Sequence, residues 1–278
     1  MNTVKKAADP ITDRLPSTAA QQEYVRNHHR HHHLITVLRF LVFLLFLVIW
    51  EVAGRLELLD TFFFSSPLMV ISNFMKMFSD GSLFTHAGIT LWETIVSFLL
   101  ITLISMLSAT ILWYSKSLSE ILEPYLVVLN SLPKSALAPL LIVWLGTGTG
   151  TIIVAGISVA IFGSIISLYT GFLHTDPEKL KLIYTLGGNR FHAFQKVVLP
   201  SSVPVILSNM KVNIGLALVG VVIGEFLAAR EGLGYLIIYG TQVFQLNMVI
   251  TSIIILCIIA MGLYQCIQWL EHLYKKKR

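Results

Sequence analysis

The sequence predicts an all-α, polytopic membrane protein with about six transmembrane helices. Three observations carry that prediction. Charged residues make up only 13% of the 278-residue chain, about half the roughly 25% of a water-soluble domain. The mean hydropathy is +0.75, too apolar for a surface that water must wet. The apolar residues also gather into six runs, each close to the ~20 residues that a helix needs to cross hydrocarbon. In such a chain the net charge of +5 does not argue for nucleic acid. It raises the question of where the cations sit.

Residues 1–33 are polar and lack apolar periodicity. They are expected to form a tail, with a short helix near Ala19 to Arg26. The tail ends in His28, His29, Arg30, His31, His32 and His33. Clustered imidazoles can bind metal, but beside a membrane helix the simpler reading is a basic stretch among lipid headgroups. No secretory signal is visible, since the first apolar run has no small-residue cleavage site after it. The expected spans are 34–53, 91–114, 125–145, 151–173, 204–229 and 248–270. The third contains Pro133 and Pro139, which interrupt a helix ladder unless neighbours satisfy the freed carbonyls. Cys257 and Cys266 share the last run and lie roughly 13 Å apart along a helix, too far to bond within it.

The cations set the orientation. With the N-terminus inside, fourteen Lys and Arg residues collect on the inner side and only Arg55, Lys76 and Arg230 on the outer side. Both termini are therefore expected in the cytoplasm. The stretch 55–88 is then external, with "SNFMKMFSDG" read as a short amphipathic helix at the outer surface.

The segment "DPEKLKLIYTLGGNRFHAFQKVVLP" (176–200) lies between two apolar runs, on the inner side. Asp176 can cap a helix, Pro177 suits its first position, and Glu178 suits the positive end of its dipole. Leu180, Ile183, Tyr184 and Leu186 form an apolar stripe, and Gly187 and Gly188 can end the helix in a left-handed turn. Asn189 can cap a second helix, whose stripe is Phe191, Phe194 and Val198 and which Leu199 and Pro200 are expected to close. Membrane runs tether this helix-turn-helix on both sides, and its cations form no single reading face. It is therefore read as a docking surface for another subunit or as a loop packed on its own protein, not as a DNA-binding element.

The pattern of Gly187, Val197, Leu199 and Pro200 resembles the cytoplasmic signature loop of the permease subunits of binding-protein-dependent ABC importers. The glycine and the Leu-Pro pair match that loop. Where the family has Glu-Ala-Ala, this chain has Lys181, Leu182 and Ile183. "LPKSALAPLLIVWLGTGTG", "GEFLAAREGLGYLI" and "SSPLMVISNFMKMFSDGSLFTHAGITL" resemble, in the right order, the nitrate/sulfonate/taurine branch. The resemblance implies a type I importer permease fold over 34–278. It implies a homodimer of permeases in the bacterial inner membrane, two partner ATPases docked on the 176–200 loop, and an extracytoplasmic solute-binding protein. The cargo it implies is a small solute, such as a sulfonate or another small organic anion. The loop residues it carries over are Lys181, Leu182, Ile183, Gly187, Gly188, Phe191, Phe194, Leu199 and Pro200.

No phosphate-binding loop of the form Gly-x4-Gly-Lys-Ser/Thr occurs, so the chain is read as a non-catalytic permease with no cofactor. No metal-ligand spacing is seen. Ionisable residues inside a bilayer are functional candidates. Glu225, Lys211 and Lys134 are the candidate pathway residues. Glu225 lines the pathway, pairs with a cation or snorkels toward the outer surface, and for each lysine snorkelling or packing is the simpler reading. Gly220 and Gly224 form a Gly-x3-Gly pair for close helix approach, within a subunit or between two. The alternative function is a secondary transporter working alone, for which internal repeats are expected and no clear one is found.

Overall fold

The computed structural model describes residues 19–56, 58 and 60–276, and among them it is helical with no strand. The tail before Ala19 lies outside the described residues. The chain divides into two units, Met1–Leu59 and Asp60–Arg278.

The first unit holds one helix, α1 (Ala19–Arg55), 37 residues long. It starts well before the expected boundary at Leu34, so the histidine cluster stands on helical backbone. No Gly or Pro interrupts the sequence from Ala19 to Ala53, and the Ala, Gln and Glu at its start are strong helix formers. Val37–Arg55 is apolar enough to cross a membrane.

The second unit opens with α2 (Thr61–Phe64) and α3 (Pro67–Ser79). The Ser66 hydroxyl caps α3 on the Met69 N–H, with Pro67 in the first turn, so the helix starts ahead of the "SNFMKMFSDG" stretch expected to form it. Asp80 accepts from the Ser82 hydroxyl and backbone N–H at 2.6 and 2.9 Å. These bonds hold its carboxyl below the usual range. Then comes α4 (Ser82–Tyr114), which begins nine residues before the expected boundary at Leu91. At 33 residues it is about 50 Å long and outruns a hydrocarbon core of about 30 Å.

The third expected span is not one helix. α5 (Lys116–Ser131) and α6 (Lys134–Leu145) meet at 96°. Pro133 is the cause. It has no N–H, and it pushes the preceding Leu132 out of the helical region, to ψ 138°. The pair forms a broken span or a re-entrant turn. Among the described residues five single helices are long and apolar enough to cross, or six if the bent pair is counted as one span. Gly146 and Gly148 sit at φ +80° and +135° and turn the chain into α7 (Thr149–Leu173). There follow α8 (Pro177–Thr185), α9 (Arg190–Ala193), a π turn (Phe194–Val198), α10 (Leu199–Ala228), α11 (Leu233–Gln242) and α12 (Leu246–Lys276).

Packing centres on α4, α7 and α10. A Cβ on Gly220 would stand 2.8 Å from the Gly156 Cα, and one on Gly224 would stand 2.9 Å from the Ile152 Cα. The Gly-x3-Gly pair therefore seats α10 on α7 within one subunit, backbone against backbone. Between lipid-bathed helices no hydrophobic force favours association, so such close packing carries much of the cohesion. Phe98 and Ile101 of α4, Ala160 of α7, and Ile214 and Ala217 of α10 fill the layer below. We predict that Gly220→Leu costs more than the roughly 1–3 kcal/mol of ordinary overpacking, because backbone cannot move aside as a side chain does. The melting temperature of the purified protein in detergent checks this. An unchanged value would contradict the close approach.

A tethered loop, a polar clamp and a cavity

The 176–200 loop is built as its punctuation suggested, with one correction. Asp176 caps α8 on the Glu178 N–H at 3.0 Å. At the other end Gly188 N–H donates to the Ile183 carbonyl and Gly187 N–H to the Tyr184 carbonyl, the paired bonds of a Schellman turn. Gly187 has φ +80°, and a Cβ on Gly188 would stand 2.8 Å from the Ile183 carbonyl oxygen. Asn189 caps α9 in a reciprocal bond with His192. The correction concerns Leu199 and Pro200, which do not close the second helix. The helical run continues from Arg190 to Ala228, 39 residues in all. The π turn widens the helix just before Pro200, and the Ser201 hydroxyl bonds the Val197 and Val198 carbonyls at 2.7 and 3.0 Å. Both devices accommodate the missing proline donor.

One face of the loop is tied down. Arg190 donates to the Tyr114 carbonyl at the end of α4, at 2.7 Å. Phe194 packs among Trp113, Tyr114 and Phe172, with ring centroids 5.3 to 5.7 Å apart. The other face is bare. Leu186 is 75% exposed, Phe191 59% and Leu182 58%. Lys181 is exposed too, while Ile183 is half-buried against the glycine turn.

At the opposite end of α10, Glu225 is 1% exposed. Its Oε1 accepts from the Thr90 hydroxyl at 2.6 Å and its Oε2 from the Gly234 N–H at 2.5 Å. Thr90 in turn accepts from the Leu233 N–H, and His86 Nδ1 accepts from the Gly232 N–H. Three successive donors at the start of α11, orphaned in any helix, are thus satisfied by side chains of α4 and α10. The glycines make room, since a Cβ on Gly232 or Gly234 would fall 2.4 or 2.6 Å from a Glu225 carboxylate oxygen. Glu93 is buried at the wall of a cavity of about 670 Å³ that Trp92 and Arg230 also line. Its carboxyl adjoins that of Glu225.

The two candidate lysines are both engaged. Lys211 pairs with Glu271 of α12, which also holds Lys275. Lys134 donates to the Leu129 carbonyl and stands over the Phe162 ring. Neither lines the cavity of about 550 Å³ between α5, α7 and α10. That cavity is walled by Asn130, Ser164, Ser167, Ser208, Asn209 and Asn213. Sequence reasoning missed these neutral groups because it searched the spans for charge. Asn209 and Asn213, four residues apart in an apolar run, were the available signal.

We predict that Glu225→Gln destabilises the α11 start by roughly 1–3 kcal/mol. The amide turns one acceptor of the clamp into a donor facing Thr90 or Gly234. Hydrogen exchange at Gly234 and Leu233 should quicken, while the loop amides near Gly187 keep their protection. Equal quickening at both ends would show a general loosening and no clamp.

Comparison with known proteins agrees with this architecture. A protein of Haemophilus influenzae named "Probable ABC transporter permease protein" is 32% identical, over 81% of this chain and 91% of its own. The formylaminopyrimidine transport permease protein ThiX of Halalkalibacterium halodurans is 27% identical over 70% and 77%. The taurine transport system permease protein TauC of Escherichia coli is 24% identical over 77% and 80%. An inward-facing structure of the MetNI methionine ABC transporter shares the fold, with a TM-score of 0.58 at 17% identity over 66% of this chain and 92% of that one. The model of one family, "Binding-protein-dependent transport system inner membrane component", matches residues 101–277. Most of the bundle lies within that match, and the chain belongs to this family of inner-membrane transport components.

Proposed function

We propose that two copies of this chain form the pathway of an ATP-driven importer, and that the 176–200 loop is the seat of its ATPase. A family member is a non-catalytic permease, so ATP hydrolysis falls to a separate subunit. The observation that carries the proposal is the two-faced loop. Arg190 and Phe194 fix it to α4 and α7, while Leu182, Leu186 and Phe191 are more than half exposed. A tethered apolar knob of this kind fits a groove on a partner. Lys181, Leu182 and Ile183 would supply apolar and cationic contacts where the resembled loop has Glu-Ala-Ala. The Lys and Arg asymmetry supports placing this loop, both termini and the 1–33 tail in the cytoplasm, with 34–278 as the permease domain. An extracytoplasmic binding protein would then deliver solute at the end bearing Glu225.

The cargo we propose is a small organic solute. TauC, named for taurine, supports a small sulfonate, and ThiX, named for formylaminopyrimidine, supports a small heterocycle. The uncharged walls of the 550 Å³ cavity favour the second reading.

Purification in mild detergent, with identification of what stays bound, tests the proposal. A stoichiometric ATPase is expected. Leu186→Asp, at a side chain 75% exposed, should cut the retained ATPase by about tenfold or more, equivalent to ~1.4 kcal/mol. Gly187→Leu should do the same by straining a left-handed turn by about 1–2 kcal/mol, with insertion into the membrane unchanged. A chain that purifies alone and still transports would overturn the proposal in favour of a secondary transporter.

A further inference from the structure

We infer that the cavity between α5, α7 and α10 is a solute-binding station, built for an uncharged molecule with a hydrogen-bond donor and acceptor side by side. An aminopyrimidine or a cyclic amide has such an edge. The inference rests on the importer reading and deepens it by naming a solute class.

The position is the first argument. Asn209 and Asn213 lie near the middle of α10 (Leu199–Ala228), and Ser164 lies near the middle of α7 (Thr149–Leu173). Amides at that depth are costly against lipid, so the face they form belongs against protein or a water-filled path. The bonding is the second argument. Asn213 is buried and spends its Nδ2 on Ser164 and Asn209, at 2.9 and 2.6 Å. The Asn209 Oδ1 takes that bond and another from the Ser164 hydroxyl at 2.7 Å. Asn213 and Ser164 thereby fix the Asn209 amide, and its Nδ2 makes no bond among the described residues. The Asn130 amide lies over Gly163, where a Cβ would come within 3.0 Å of its Oδ1. It too is unspent among the described residues. Two free amides on different helices border one space of about 550 Å³, a size suited to a small organic ligand.

Charge is the third argument. Of the residues that wall this cavity none is Lys, Arg, His, Asp or Glu. The neighbouring Lys211 is neutralised by Glu271. A sulfonate would meet neutral donors only and would lose its hydration without a counter-charge. An Asn side chain instead offers a donor and an acceptor in one plane, the geometry with which it pairs to the amino and ring-nitrogen edge of adenine.

The test is equilibrium binding to the permease–ATPase complex in lipid nanodiscs, without binding protein. The probes are tritiated 4-amino-2-methylpyrimidine and tritiated taurine. The pyrimidine should bind saturably and taurine should not. Asn209→Asp keeps the acceptor for Ser164 and Asn213 but reverses the free donor, and it should weaken pyrimidine binding about tenfold or more. Asn130→Ala, at an exposed side chain, should do likewise without touching the fold. Absence of saturable pyrimidine binding, preference for taurine, or unchanged affinity in both variants would each overturn the inference. Loss of the importer reading itself would show earlier, as a complex that purifies with no ATPase.

Discussion

The contact between α7 and α10 is the constraint on which the rest of the bundle depends. Two helices in lipid gain little from hiding apolar side chains, because the tails around them are equally apolar. They gain from close approach. Gly220 and Gly224 bring the backbones together, until a single added methyl would collide with the main chain of Gly156 or Ile152. Once the two axes are pinned at that distance, α4 can lay Phe98 and Ile101 across both. The clamp at Glu225 and the cavity at Asn209 then fall at set heights above and below the glycine contact.

Polar groups on this frame sort by whether they are spent. Glu225, Thr90 and His86 use their capacity on the backbone donors of α11. Lys211 and Glu271 neutralise each other. These groups hold the fold. The amides of Asn130 and Asn209 keep capacity in reserve beside open space. The contrast has a physical reason: in a low-dielectric interior, a charge without a partner costs too much to leave idle.

Much of the fold was legible because its physics is one-dimensional. Run length and apolarity located the spans, and Asp176, Gly187 and Asn189 marked the loop helices by local capping chemistry that needs no partner elsewhere. Legibility failed where distant residues decide. Pro133 and Pro200 look alike in sequence, yet the first bends the chain by 96° and the second sits inside an unbroken helix. The difference is supplied by the π turn and the Ser201 hydroxyl. Glu225 read as a pathway or ion-pair candidate because its partners, Thr90 and Gly234, are set by tertiary folding. The bare face of the loop was legible as apolar residues at helical spacing. That Phe194 turns inward and Phe191 outward was not.

The unbroken run from Arg190 to Ala228 carries a mechanical consequence. Its 39 residues span about 58 Å, and its two ends bear the tethered loop and the Glu225 clamp. The glycine contact with α7 lies nearer the clamp end, at Gly220 and Gly224. Were the loop end released from α4 and α7, a rod pivoting there would behave as an unequal beam on a fulcrum. Gly220 is 30 positions from Arg190 and 5 from Glu225, so the arms are roughly 45 Å and 7.5 Å long. A displacement of the loop end would arrive at the clamp reduced about sixfold in distance and, for the same torque, increased about sixfold in force. Such a beam would trade a wide swing at the Arg190 end for a short, strong pull on α11.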